Sequence, residues 1–235
     1  MSLDTYAFVG AAGGVGTTRL TLETATLLAG EGHDVAVLDA AYATQGLADL
    51  TSGRLDPDVT ALCLDDTPLE QGLVDRDVDG AGRLAVCPAR APFERLARAK
   101  SPAAAEAFER RVGEAARAFD HVLVDTPPVA ANQAVSAVTA VDGIALVCDA
   151  PRAEAAVPRM IDRLSDVGVE PSVTVVTRTD DHPDADVTVP EFDVVPPAVE
   201  ADDAAVEAVA AVLEETLGVK IEREERGWLR SRLRP

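Results

Sequence analysis

The segment that most constrains this chain is a glycine-rich turn near its start, Gly10-Ala11-Ala12-Gly13-Gly14-Val15-Gly16-Thr17-Thr18-Arg19. The apolar run 6–10 leads into it and reads as a buried strand; residues 19–29 follow and read as a helix. Glycines permit a tight turn and let backbone approach a ligand closely. A helix starting directly after the turn adds unpaired N–H groups and the positive end of its dipole. The segment therefore predicts a cradle for an anion, phosphate above all, whose ligand the turn alone does not name. A ligand-free structural turn is the plainer alternative.

The rest of the chain repeats the strand-then-helix rhythm. Residues 34–39 (DVAVLD), 83–87 (RLAVC), 121–125 (HVLVD), 143–148 (GIALVC) and 172–177 (SVTVVT) read as further strands. Helical stretches such as 103–119 and 154–167 lie between them. Residues 180–199, rich in acid and proline, read as loop with a short edge strand, and 204–217 as a last amphipathic helix. Continuous apolar strands alternating with helices predict a doubly wound α/β fold, a mostly parallel sheet with helices on both faces. One domain over residues 1–219 and a tail over 220–235 is the expected division.

Composition narrows the function. Of 235 residues, 47% are hydrophobic, enough for a packed core. The formal charge is −20, which repels phosphate backbones and argues against direct nucleic-acid binding. Lysine occurs only at Lys100 and Lys220, and this acidic, lysine-poor chemistry suits a salt-rich cytosol. Cys63, Cys87 and Cys148 are scattered and unpaired in sequence, as are the histidines, so neither a disulfide framework nor a zinc site is expected. The start lacks the charged and apolar regions of a signal peptide, and no apolar run is long enough to span a bilayer. A cytoplasmic chain is expected.

Two ligands suit the turn. GAAGGVG resembles the glycine turn of NADP-dependent quinone reductases, with Asp39 near the spacing of a ribose-binding carboxylate. Such reductases carry a catalytic domain before the motif, and no Tyr with Lys four residues later supplies a hydride-transfer site of the short-chain dehydrogenase kind. The stronger resemblance is to the ParA/MinD family of P-loop ATPases. Ala12-Gly13-Gly14-Val15-Gly16-Thr17-Thr18-Arg19 aligns with that family's KGGVGKTT. VAVLDAAYATQGLADL resembles its VLVIDAD segment, FDHVLVDTPP its Walker B and switch II region, and Cys87-Pro88-Ala89 its LPA. The resemblance covers about residues 5–217. It implies a P-loop fold, ATP or ADP with Mg²⁺, a homodimer, and partners in spatial positioning such as partitioning or cell division.

The same alignment implies roles for single residues. Gly13, Gly14, Val15, Gly16, Thr17 and Thr18 would form the phosphate cradle, with Thr18 as the magnesium hydroxyl. Asp125, through a water, would be the other magnesium group, and Asp39 and Asp125 the catalytic carboxylates. The two family lysines fall on Thr17 and Ala12, and the second carboxylate of its DxD on Ala41. A hydrogen bond from a charged donor is worth about 1.5–3 kcal/mol, roughly ten- to a hundredfold in affinity for each lysine. Hydrolysis suffers more, because those groups act on charge that develops in the transition state. The expectation is a weak or non-hydrolysing nucleotide sensor, an adaptor resembling the CpaE/TadZ-like relatives that also lose the lysine. An active ATPase with an atypical P-loop is the alternative. Arg19 reads as a surface arginine.

The charge is uneven. Residues 226–235 hold four arginines and no acid, whereas the 225 residues before them carry 17 basic and 41 acidic groups, a charge of −24. In a helix Arg226, Arg230 and Arg234 would form one stripe, with Trp228, Leu229 and Leu233 opposite. The pattern resembles a membrane-targeting C-terminal helix, implying peripheral association with an anionic membrane on its inner face; docking on the chain's own acidic body or on a protein partner is the alternative.

Overall fold

A computed structural model describes residues 4–221. The glycine turn joins β1 (Thr5–Gly10) to α1 (Thr17–Gly30). The chain continues through β2 (Asp34–Asp39), α2 (Gly46–Asp49), α3 (Val59–Asp65), β3 (Val74–Arg76), β4 (Arg83–Cys87), α4 (Phe93–Arg98) and α5 (Pro102–Ala118). Then come β5 (His121–Thr126), α6 (Asn132–Thr139), β6 (Gly143–Asp149), α7 (Ala150–Asp166), β7 (Val173–Thr177), β8 (Val187–Val189) and α8 (Asp203–Leu217). Every residue of β1, β5 and β6 is buried, which is why these segments read as unbroken apolar runs.

The eight strands form one sheet in the order β3-β4-β2-β5-β1-β6-β7-β8, with only β3 antiparallel. From β1 the chain crosses one way to β2, and from β6 the other way to β7. Right-handed crossovers put α1 and the later helix α7 on opposite faces. α1 packs with α8 on one face, and α5 packs with α3 and α6 on the other. The reversal of direction beside β1 leaves a crevice at the carboxyl ends of β1, β5 and β6, where open α/β sheets place ligands.

This strand order removes the dinucleotide reading. A dinucleotide fold sets its first two strands side by side, so the acid ending the second reaches the ribose. Here β5 pairs with both β1 and β2 and separates them.

The expected strands form within a residue or two of the expected limits. β3 was not expected: three residues, two of them half-buried, with an acid between, carry too little periodicity to read. The last helix begins where Asp202 accepts a 2.9 Å hydrogen bond from Ala204 N–H and ends at Gly218, whose φ of 68° stops it. Among the described residues no helix is long and apolar enough to cross a membrane. The tail residues Arg226, Trp228, Leu229, Arg230, Leu233 and Arg234 lie outside the described residues.

Candidate nucleotide site

The turn between β1 and α1 is held open by its backbone. Gly14 and Gly16 have φ of 74° and 92°, left-handed values that a side chain would strain. At Gly10 a Cβ would come within 2.8 Å of Thr17 Oγ1, so glycine lets the turn fold back on the strand end. Ala11 N–H donates to Val147 O at 2.8 Å, tying the turn to β6. α1 begins at Gly16 with no side-chain cap and no acid in its first turn. None of the N–H groups from Gly13 to Arg19 donates to another group among the described residues. A run of unused donors at a helix start is a receptor for an anion. Gly13, Gly14, Gly16, Thr17 and Thr18 line its partly open surface, while Val15, 1% exposed, anchors it from below.

Thr18 and Asp125 meet. Thr18 Oγ1 donates to Asp125 Oδ2 at 2.6 Å, joining the first turn of α1 to the end of β5. Asp125 is 1% exposed, and its Oδ1 has no hydrogen-bond partner among the described residues. Burial pushes its carboxyl above the ordinary range, a shift partly opposed by the Thr18 hydroxyl. A hydroxyl beside a carboxylate with a spare oxygen is a donor set that suits a hard cation such as Mg²⁺.

Asp39 stands level with Asp125 on the neighbouring strand but is used differently. It is wholly buried, and its two oxygens accept from Ala41 N–H at 2.7 Å and Ala89 N–H at 3.0 Å. Burial first, and the nearby Asp125 second, raise its pKa. Asp39 thereby fastens the ends of β2 and β4 together. Ala41 is also buried.

Three arginines that sequence reading did not place at the site converge on it. Arg152, in the first turn of α7, reaches Asp149 Oδ1 at 2.6 Å through Nε and Oδ2 at 2.8 Å through Nη2, and donates to Gly13 O at 2.7 Å through Nη1. Arg178, just beyond β7 with φ of 63°, donates to Asp149 Oδ2 at 3.0 Å and Gly14 O at 3.1 Å. The Arg152 hydrogen bonds hold the Asp149 carboxyl below the ordinary range. Arg19 is not a free surface arginine. Its guanidinium donates to Phe192 O at 2.9 Å and Val194 O at 2.7 Å and lies 5.6 Å from the Phe192 ring centre.

Arg19 and Phe192, with Val15, Gly16, Thr177 and Glu191, line a cleft beside the turn. Its outer wall is fixed by Glu23, a buried acid on α1 that accepts from Ala198 N–H at 2.7 Å and Val199 N–H at 3.0 Å. The Asp149-Arg152 spacing at a helix start was a readable local pair, but only the fold shows that it touches the turn.

No family model matches the sequence, and no curated protein matches it. Solved structures do match in fold. MinD from Pyrococcus horikoshii complexed with Mg-ADP superposes with a TM-score of 0.68 at 18% identity, over 89% of this chain and 87% of that one. Cobyrinic acid a,c-diamide synthase from Mycobacterium smegmatis, with bound ATP analogue and magnesium, gives 0.71 at 17% identity, over 93% and 98%. A ParA family ATPase from Chlorobium tepidum TLS gives 0.68 at 16% identity, over 91% and 92%. With its glycine turn between β1 and α1 and its eight-stranded, mostly parallel sheet, the chain has the P-loop NTPase fold of these MinD and ParA neighbours.

Proposed function

We propose that this chain binds a nucleoside di- or triphosphate with Mg²⁺ in the glycine turn and hydrolyses it weakly or not at all. The observation that carries the reading is the 2.6 Å Thr18–Asp125 hydrogen bond beneath a turn whose N–H groups from Gly13 on are unused among the described residues. The cradle would take the phosphates, and Thr18 and Asp125 would hold the magnesium, Asp125 through a water. When bound, the ion would neutralise phosphate charge. Asp39, whose two oxygens each accept from backbone, would hold the ends of β2 and β4 in place beside the catalytic position expected of it. The substitutions argue for weak turnover: Thr17, Ala12 and Ala41 stand where ATPases of this fold are expected to carry two lysines and a carboxylate.

Such a protein works by being occupied, as a sensor or adaptor in spatial positioning, and dimerisation around nucleotide is part of the proposal. So is contact of the 220–235 tail with an anionic membrane, which liposome co-sedimentation of full-length protein and protein truncated at Gly227 would test in high salt. A thermal-shift panel of ATP, ADP, GTP and NADPH with Mg²⁺ tests the ligand. The reading expects stabilisation by ATP or ADP and none by NADPH. Steady MgATP turnover at the rate of an intact P-loop ATPase, lost in Asp125→Ala, would replace the sensor with an active enzyme.

A further inference from the structure

The two cations missing from the turn have counterparts outside it. Arg152 and Arg178 approach from α7 and from the end of β7, residues far from the turn in sequence. Between them lies one carboxylate, Asp149, 5% exposed, which takes a hydrogen bond from each. Each arginine uses a remaining nitrogen on a carbonyl of the turn, Gly13 O for Arg152 and Gly14 O for Arg178.

The peptide plane gives these contacts a consequence. In a trans peptide the C=O of one residue and the N–H of the next point in opposite directions. Fixing Gly13 O on Arg152 therefore turns the Gly14 N–H away from that arginine, and fixing Gly14 O on Arg178 does the same for the Val15 N–H. Both N–H groups are unused among the described residues. Glycine at 13 and 14 offers many competing backbone conformations, so a device that selects one has work to do here. Arg152 and Arg178 bring two positive charges to the turn, in a body whose charge is strongly negative. Buried Asp149 faces both, and exposed Glu191, 4.0 Å from Arg178 Nε, offsets its arginine less because that longer contact is screened by solvent.

We propose that Arg152 and Arg178, bridged by Asp149, act as positioning residues: from outside they hold the glycine turn in its anion-receiving shape and supply the positive charge that Ala12 and Thr17 lack. The nucleotide part of this proposal rests on the function proposed above; the clamp itself does not.

The test uses the full chain and two readouts. In protein without nucleotide, backbone ¹⁵N relaxation over residues 11–17 is compared between wild type, Arg152→Ala/Arg178→Ala and Asp149→Asn. The clamp expects order parameters in that segment to fall from a rigid value of about 0.85 to below about 0.6 in both variants, with those of β1 and β5 unchanged. Unchanged order parameters at the turn overturn the clamp whatever the ligand. Binding is then titrated with MgADP. The double variant should bind about ten- to a hundredfold more weakly. Asp149→Asn separates positioning from charge. Removing an acid beside the turn would tighten binding if charge alone mattered, whereas loss of the bridge loosens the turn and weakens it. Tighter binding by Asp149→Asn overturns the positioning role. Wild-type protein that ignores MgADP, with order parameters at the turn still lowered in the variants, overturns the nucleotide reading and leaves the clamp standing.

Discussion

Thr18 Oγ1 sits 2.6 Å from Asp125 Oδ2, so the helix that begins at the glycine turn is fastened to the central strand β5 by one short hydrogen bond. The other oxygen of Asp125 is buried and unpartnered among the described residues, an arrangement that costs free energy unless something occupies it. Asp125→Asn is therefore expected to abolish the gain in ADP affinity that Mg²⁺ brings, a loss of about tenfold or more, while ADP without Mg²⁺ binds as before. Calorimetric titration with and without Mg²⁺ measures this, and equal magnesium dependence in both proteins would remove Asp125 from the ion site.

Restoring the lysine should restore affinity. Thr17 begins α1 and is partly exposed, so a longer side chain there meets little resistance. Thr17→Lys is expected to tighten MgATP binding by about ten- to a hundredfold. Competition with a fluorescent ATP analogue would show it. Turnover should rise much less, since Ala41 still lacks the carboxylate expected to place the attacking water.

Arg19 holds the loop that walls the cleft, through two backbone carbonyls and the face of Phe192. Arg19→Ala should free that loop, lower the melting temperature by about 2–4 °C, and open residues 190–196 to limited proteolysis. Val195, already 86% exposed, is where cleavage is expected to concentrate. An unchanged digestion pattern would mean the loop is held from elsewhere.

The three cysteines should be inert in the native protein. Cys63 is 4% exposed, and Cys87 and Cys148 are fully buried. Burial pushes the Cys63 thiol up to about 11 and raises the other two as well. Thiolate is the reactive form, so a disulfide reagent should label none of them until denaturant is added. Fast labelling of any one in native buffer would contradict this packing.

His121 gives a pH dependence of definite sign. It opens β5, is 8% exposed, and meets His33 edge-on at 4.9 Å. Burial, and then the nearby charge of His33, hold its pKa below the ordinary 6.5. In acid the unfolded chain takes up this proton before the folded one does. Stability is thus lost as pH falls below 6.5, and the contribution is absent above it. His121→Val should flatten the stability curve between about pH 5 and 7, read by urea unfolding at several pH values.

The sheet was legible because its central strands are buried on both faces and so appear as plain apolar runs. The cradle was legible because glycines with left-handed φ must be written into the sequence. Asp39 shows the limit of that reading. The alignment marks it as a catalytic carboxylate, yet which atoms meet its oxygens depends on Ala89, fifty positions on and brought near by the pairing of β2 with β4. Arg152 and Arg178 were hidden for the same reason. Their partners at Gly13 and Gly14 lie across the fold, and an arginine in a helix or loop carries no local mark of what it will touch. The topology that separates β1 from β2 is likewise a property of the whole sheet, not of any motif.

Glu23 gives the site its reach. Its carboxylate sits in the middle of α1 and grips the chain at Ala198 and Val199, while Arg19, one turn earlier, grips it at Phe192 and Val194. The helix and the strap opposite it are thus two arms of one lever, with the glycine turn at its fulcrum. A displacement of a few tenths of an ångström at the turn would be carried by α1 to the buried segment that leads into α8. Under the function proposed above, that connection is a route by which a full site could be told from an empty one without a bond being broken.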